Sequence, residues 1–293
     1  MEKRQRVSVY GKRIVAGIVV TLATLAGIIW TVGTGYLGSR GWQWIGDALY
    51  PLGMTVVAVV MAAGWKTLVR SSALRRYGRG ILLGISGFFL ALTLQNMVRF
   101  PFTVSQSENG RFQVLVRVDR RSNEAILYRP RYGLFRHEQA RFAYPVKGSL
   151  KLRWLTGDVC TMTYRTVDGS VHQSVATFGD RGDPISYHNM ISAISGQWQQ
   201  DPLTDGAWRI RVDSEGIRLE NGDQSELYAF DDCVPFGTLA LVLCRDGLPQ
   251  WTLVLAEDGV IDERDLFVGG HLILCEVAME SMPVIELQRS QEI

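Results

Sequence analysis

The sequence predicts a membrane protein of three transmembrane helices followed by a mainly β domain, built as a sandwich or barrel-like sheet with one short helix. Two observations carry this prediction. Three long apolar stretches fall within the first hundred residues, which hold only two of the 29 acidic side chains, Glu2 and Asp47. After residue 100, short alternating segments separated by turn residues recur, as in an all-β domain. The 47% apolar and 20% charged composition excludes collagen, coiled coil and low-complexity disorder.

The three apolar stretches have the length of membrane spans. They cover residues 14–32, 48–68 and 80–98, and the first contains no ionisable side chain. A hydrocarbon core about 30 Å thick requires roughly 20 helical residues. None of the stretches has a polar helical face, and helices that are apolar all round are deeply buried or lie in lipid. We therefore predict a transmembrane region over residues 14–100 in contact with the lipid bilayer.

The first stretch allows one alternative, because it follows a basic tail as the apolar part of a signal peptide does. Signal peptides usually have only about 7–15 apolar residues, and this stretch is longer. Cleavage after it would leave two spans and would keep the side of the membrane predicted for the C-terminal domain.

Basic side chains beside the spans predict a multi-pass protein of the cell membrane with a cytoplasmic N-terminus. Positive charge favours the cytoplasmic side. Five basic residues precede the first span and five lie between the second and third: Lys3, Arg4, Arg6, Lys12, Arg13, Lys66, Arg70, Arg75, Arg76 and Arg79. The loop between the first and second spans has only Arg40. The tail 1–13 is therefore expected inside, and the C-terminal domain outside the cytoplasm.

The spans carry little functional chemistry. They contain no His, Asp or Glu at membrane depth, which transport pathways and proton relays usually need. The amides of Gln95 and Asn96 either cap the third span or bond a neighbouring helix. Gly80 and Gly84 have a GxxxG spacing, which lets helices approach closely. These features favour a small helix bundle or self-association over transport.

Residues 101–110 read as a polar linker, and residues 111–293 as a β-rich domain with two possible lobes, 111–200 and 201–293. Strict alternation in 150–154 and the Asp168-Gly169 turn before 171–178 are typical of half-buried strands and hairpins. A helix is expected to begin at Asp183 and to end near Gly196. Residues 101–200 have a net charge of +5 and residues 201–293 a net charge of −13, and this acidic second part argues against nucleic-acid binding.

Residues 179–188 are the densest candidate site in the sequence. They bring carboxylates, an arginine, a serine and a histidine into one loop before the expected helix, and binding sites often lie on such loops. The catalytic candidates are Asp180 and His188, and the ligand-binding candidates are Arg181, Asp183 and Ser186. The same residues also fit a plain turn that caps a helix, which is the favoured interpretation.

Neither a metal nor a cofactor is predicted. The histidines, His137, His172, His188 and His271, have no zinc-site spacing. The acidic residues Asp258, Asp262, Glu263 and Asp265 do not have the spacing of an EF-hand and favour a solvated turn over a calcium site.

Four cysteines, Cys160, Cys233, Cys244 and Cys275, lie in the C-terminal domain. An even number in an exported domain permits two disulfides of unknown pairing. Three of the four lie within apolar strand patterns, where cysteine is often a small buried side chain. The sequence therefore leaves the disulfide state open.

The absence of a catalytic motif favours a binding or interaction domain over an enzyme. The preferred hypothesis is an accessory or scaffold component of a bacterial cell-envelope complex, with a membrane or envelope protein, or a second copy, as its partner. One alternative is a hydrolase-like envelope enzyme that uses the 179–188 loop. Another is a membrane sensor that signals through a partner, because its cytoplasmic segments are too short for a signalling domain.

Overall fold

The structure, a computed structural model, describes residues 2–40, 42–131, 135–179, 190–201, 207–261, 267–280 and 283–290. Three long helices are followed by a mostly β domain with a nearly closed barrel-like sheet and one short helix, so the predicted fold class is confirmed. The helices are α1 (Glu2–Ser39), α2 (Leu49–Leu68) and α3 (Ser72–Arg99). Each is long and apolar enough to cross a membrane.

Glycines on α2 allow close packing against α1. A Cβ atom at Gly64 would lie 2.4 Å from Cγ2 of Val20, and one at Gly53 would lie 3.0 Å from the Trp30 ring. Small residues at such points let two helices approach each other in lipid. By contrast, a Cβ at Gly80 or Gly84 of α3 would meet nothing within 4 Å among the described residues. The GxxxG spacing therefore does not mark a contact within the part of the chain that the structure describes.

The chain divides into two compact units. Unit 1 comprises residues 1–103, 115–122 and 126–141, and unit 2 comprises residues 104–114, 123–125 and 142–293. A five-stranded sheet has the order β1-β5-β4-β3-β2. Its strands are β1 (Trp42–Trp44), β2 (Phe102–Gln106), β3 (Gln113–Val118), β4 (Ala125–Arg131) and β5 (Phe135–Arg141). Strand β2 lies within residues 101–110, where the sequence suggested a linker.

A three-stranded antiparallel sheet contains β6 (Leu150–Thr156), β7 (Val159–Arg165) and β8 (Val171–Thr177). The turn before β8 holds Gly169 at a φ of 90°, a conformation that glycine adopts without steric cost. The hairpin predicted at Asp168-Gly169 is thus present, with Arg165 of β7 paired to Val171 of β8.

The nine-stranded sheet has the order β12-β11-β10-β9-β19-β18-β15-β14-β13 and nearly closes into a barrel. Its strands are β9 (Gly196–Gln199), β10 (Trp208–Asp213), β11 (Gly216–Asn221), β12 (Gln224–Tyr228), β13 (Cys233–Phe236), β14 (Ala240–Arg245), β15 (Leu248–Leu255), β18 (His271–Glu276) and β19 (Val284–Arg289). The 3-10 turn Phe230–Asp232 joins the two end strands, and β16 (Val260–Ile261) pairs with β17 (Phe267–Gly269). The short helix α4 (Met190–Ala193) precedes β9. The expected helix start at Asp183 lies outside the described residues.

Strands β14, β15 and β18 are buried on both faces. In β18, Leu272 and Leu274 belong to the core inside the nine-stranded sheet, whereas Ile273 belongs to a second core shared with β7 and β8. This double burial explains the continuous apolar runs of these strands. Strand β10 is buried on one face only: Ile210 points inward, and Arg209 is exposed.

Candidate functional site

The candidate residues of the 179–188 loop cannot be placed. Asp180, Arg181, Asp183, Ser186 and His188 all lie in residues 180–189, outside the described part of the chain.

All four cysteines are free thiols. Cys160 is fully buried in β7, and burial raises the pKa of its thiol to about 12. Burial raises the pKa of Cys233 as well, to about 11. Because the thiolate is the nucleophile and the metal ligand, these two thiols are poorly suited to either role. Their environment is that of small core side chains.

A serine and a histidine meet beside the β7–β8 hairpin. The Ser170 hydroxyl lies 2.7 Å from Oδ1 of Asp168 and 3.0 Å from Nε2 of His172. Hydrogen bonds from Thr166 and Ser170 hold the pKa of Asp168 at about 2, and burial lowers the pKa of His172. In a catalytic triad the carboxylate orients the histidine, whereas here it accepts from the serine. The arrangement is therefore that of a hydrogen-bonded turn.

His271 takes part in a second polar cluster. Its Nδ1 lies 2.5 Å from Oδ2 of Asp258, and its Nε2 lies 3.1 Å from the Gln288 amide. Both ring nitrogens are thus engaged, Nδ1 by a turn residue and Nε2 by a residue of strand β19. Asp258 is the one described member of the acidic cluster considered for calcium, since residues 262–266 are not described. Within the described ranges, no three His, Cys, Asp or Glu side chains are grouped so as to hold a metal ion.

The most deeply buried charge in the described residues lies in unit 1, where Asp47 meets Arg136. The side chain of Arg136 is 0% exposed, and its Nη2 donates to Oδ1 of Asp47 at 2.7 Å. The same guanidinium donates from Nη1 to the carbonyl of Ile45 at 3.2 Å. Burial lowers the pKa of Arg136, and the Asp47 charge partly offsets this shift. We call Asp47, Arg136 and the side chains around them the Asp47 junction.

Further side chains complete the Asp47 junction. Nε of Arg117 lies 3.2 Å from Oδ2 of Asp47, an ion pair without hydrogen-bond alignment. The Tyr128 hydroxyl donates to Oε1 of Gln43 at 3.2 Å, and the Tyr128 ring lies 4.2 Å from the Arg136 guanidinium. Two guanidiniums therefore surround one carboxylate, and the aromatic face adds a favourable cation–π contact.

An aromatic stack connects helix α1 to the sheet beside the junction. The rings of Trp30 and Trp44 stack with centroids 4.5 Å apart, and the rings of Trp44 and Phe135 lie 4.8 Å apart. The indole N–H groups of both tryptophans are buried and have no hydrogen-bond partner in the described part of the chain. Their contribution is therefore apolar packing and ring stacking.

Helix α3 reaches the same loop through a polar contact. Nδ2 of Asn96 donates to the Asp47 carbonyl at 3.1 Å, so the amide bonds a neighbouring segment instead of only capping its own helix. Trp30 on α1, Asp47 just before α2, Asn96 on α3 and Arg136 on β5 thus meet around residues 42–47. The Asp47 junction offers no nucleophile and no free base, and its chemistry is that of a buried ionic clamp.

This junction has only a weak signal in the sequence. Asp47 is the one acidic side chain between Glu2 and Glu108. A lone carboxylate between two spans is expected to pair with a basic side chain. No sequence pattern marks Arg136 as a buried residue, because it lies in a polar segment, Phe135–Arg141, with little alternation.

No protein-family model matches the chain, and no curated protein is significantly similar to it in sequence.

Proposed function

We propose that this protein is a membrane-anchored interaction module that presents its β-rich domain outside the cytoplasm, as an accessory or scaffold component of a cell-envelope complex. The N-terminal tail and the Arg-rich loop between α2 and α3 would lie inside, and residues 42–47 outside. In this role the protein binds another membrane or envelope protein without catalysing a reaction.

The Asp47 junction is the observation that carries this proposal. A guanidinium with no exposed surface, paired at 2.7 Å with the carboxylate beside α2, ties strand β5 to the loop between two spans. Burying a charge is costly unless it is paired, so the paired charges fix strand β5 beside the spans within unit 1. A surface fixed beside the membrane in this way is one that a partner protein can recognise.

The polar clusters of unit 2 support the same role. The hydroxyl of Ser170 and both ring nitrogens of His271 are engaged in turn and sheet contacts. Their hydrogen bonds stabilise the hairpin and the sheet, so these clusters are accounted for without catalysis.

Reporter fusions test the proposed orientation. Alkaline phosphatase fused after residue 293 is expected to be active, and green fluorescent protein at the same position dark. Fusions after residue 70, between α2 and α3, provide the matched control and are expected to show the opposite pattern. A fluorescent, phosphatase-inactive C-terminal fusion would overturn the orientation.

Photocrosslinking in intact cells tests the interaction role. A crosslinking amino acid placed at exposed positions of unit 2, such as Val234 or Leu227, is expected to capture a defined membrane or envelope protein, or a second copy. The buried position Leu274 is the control and should capture nothing. Equal, diffuse labelling from all three positions would contradict a specific partner.

A further inference from the structure

A groove in unit 1 lies where helix α3 ends. Its volume is about 460 Å³, and its lining is Leu94, Gln95, Val98, Arg99, Arg120 and Arg121. The groove combines an apolar wall from the last turns of a membrane-spanning helix with a rim of three guanidiniums. This combination matches neither a soluble metabolite site nor a plain helix contact.

The rim is held to the helix by several hydrogen bonds. The backbone N–H of Arg120 donates to the carbonyl of Arg99 at 3.1 Å. The Arg99 guanidinium donates to both oxygens of Asp119, at 3.1 and 2.7 Å, and Asp119 also accepts from the backbone N–H of Arg121. The turn that carries Arg120 and Arg121 is thus fixed beside the last turn of α3.

The charge of the groove is positive. Asp119 is engaged by Arg99, whereas the side chains of Arg120 and Arg121 are exposed and have no acidic partner in the described parts of the chain. Three arginines around one carboxylate leave a net charge of +2. Arginine binds phosphate oxygens with two parallel N–H donors, so two free guanidiniums form a natural phosphate site.

The wall of the groove is apolar and exposed. Leu94 is 57% exposed and Val98 is 65% exposed, although both are apolar and lie at the end of a candidate span. Such side chains face acyl chains in a bilayer, and arginines at a helix end reach the headgroup level.

We propose that this groove binds an anionic phospholipid, with its phosphate held by Arg120 and Arg121 and an acyl chain along Leu94 and Val98. The net positive charge favours a headgroup without a cation, such as phosphatidylglycerol, and disfavours the ammonium of phosphatidylcholine. This assignment requires only that α3 spans the bilayer, and it holds whichever side of the membrane the groove faces.

Native mass spectrometry of the full chain in detergent tests the site by titration with phosphatidylglycerol. Each arginine near a charged lipid surface contributes about fivefold, so Arg120→Gln/Arg121→Gln is expected to weaken binding about thirtyfold. The charge-matched control, Arg111→Gln/Arg209→Gln, removes two exposed arginines elsewhere and should change affinity less than twofold. The variant Arg120→Lys/Arg121→Lys keeps the charge and the fold. Its affinity for phosphatidylglycerol should fall only severalfold, because lysine keeps the charge but lacks the paired donors of arginine.

Three outcomes would overturn the proposal: unchanged affinity in the glutamine variant at an unchanged melting temperature, an equal loss in the control variant, or equal affinity for phosphatidylcholine. A competition experiment distinguishes a phospholipid from a free anion as the ligand of the groove. Inorganic phosphate at millimolar concentration is not expected to displace phosphatidylglycerol, since it lacks the acyl chains that the apolar wall requires. Full displacement by phosphate would assign the groove to a soluble anion instead.

Discussion

The two units are stabilised by different kinds of interaction. In unit 1, a buried ion pair and stacked aromatic rings join the sheet to the helices, with Arg136 fully enclosed beside Asp47. In unit 2, the nine-stranded sheet surrounds an aliphatic core in which Leu243, Leu253 and Leu274 have no exposed surface. An aliphatic core loses stability in proportion to the volume removed, whereas a buried ion pair fails when either partner is removed. Unit 1 is therefore the more sensitive to single polar substitutions.

The largest effect is expected for Asp47→Ala, which leaves Arg136 charged and buried without its partner. The free energy of unfolding should fall by about 3–5 kcal/mol. Replacing both partners, Asp47→Leu/Arg136→Met, should recover part of that loss, since the fully buried charge is removed and only Arg117 is left without its carboxylate. Thermal and denaturant unfolding of the detergent-solubilised chain measures both.

The control for this comparison is an exposed ion pair of the same unit. Arg141→Gln breaks a pair with Glu138 in which the arginine is 63% exposed, and exposed pairs contribute less than about 1 kcal/mol. If Arg141→Gln proved as costly as Asp47→Ala, burial would not explain the stability of the Asp47 junction.

In unit 2, Leu274→Ala is expected to cost about 2–5 kcal/mol, because it opens a cavity in the core of the nine-stranded sheet. Leu248→Ala makes the same chemical change at a position that is 38% exposed and should cost much less. Equal costs would show that the sheet does not enclose a packed core.

Among the helices, Gly64→Val should destabilise the chain by about 1–3 kcal/mol, because the added side chain would press on Val20. Gly84→Val places the same side chain where nothing of the described chain lies within 4 Å, so it should cost little. If Gly84→Val destabilised the monomer, the open space found beside Gly84 on α3 would be contradicted. A loss of self-association in that variant alone would instead assign the α3 glycines to a second copy.

The smallest effect concerns Asp119, at the rim of the α3 groove. The hydrogen bond from Arg99 lowers the pKa of Asp119 to about 2. A lowered carboxyl pKa stabilises the fold above the pKa of an unfolded aspartate, about 4, and this contribution is lost as pH falls through about 2. Asp119→Asn should lower the melting temperature slightly at neutral pH and flatten its pH dependence between about 4 and 2. An unchanged pH profile would contradict the pairing with Arg99.

Features encoded by neighbouring residues could be predicted from the sequence. The three spans follow from uninterrupted apolar stretches, and strand β10 follows from the alternation of Ile210 and Val212 with Arg209 and Arg211. The β7–β8 hairpin follows from Asp168-Gly169. In each case a few adjacent side chains determine the conformation, so no knowledge of distant residues is needed.

The Asp47 junction could not be predicted, because its partners are distant in sequence. Strand β1 is three residues long, and its two tryptophans resemble an interfacial belt. Strand β5 places a buried arginine where an alternating pattern would have an apolar residue. Only the tertiary pairing of the two strands shows why Arg136 lies inside, and that pairing leaves no periodic pattern in either segment.

The separation of 89 residues between Asp47 and Arg136 also has a consequence for biosynthesis. The loop of residues 42–47 leaves the ribosome first, and the arginine that completes it follows roughly 5–20 s later at ordinary elongation rates. During that interval strand β1 and the Asp47 carboxylate have been synthesised, but strand β5 and Arg136 have not. The Asp47 junction can therefore close only after the segment that contains Arg136 has been translated.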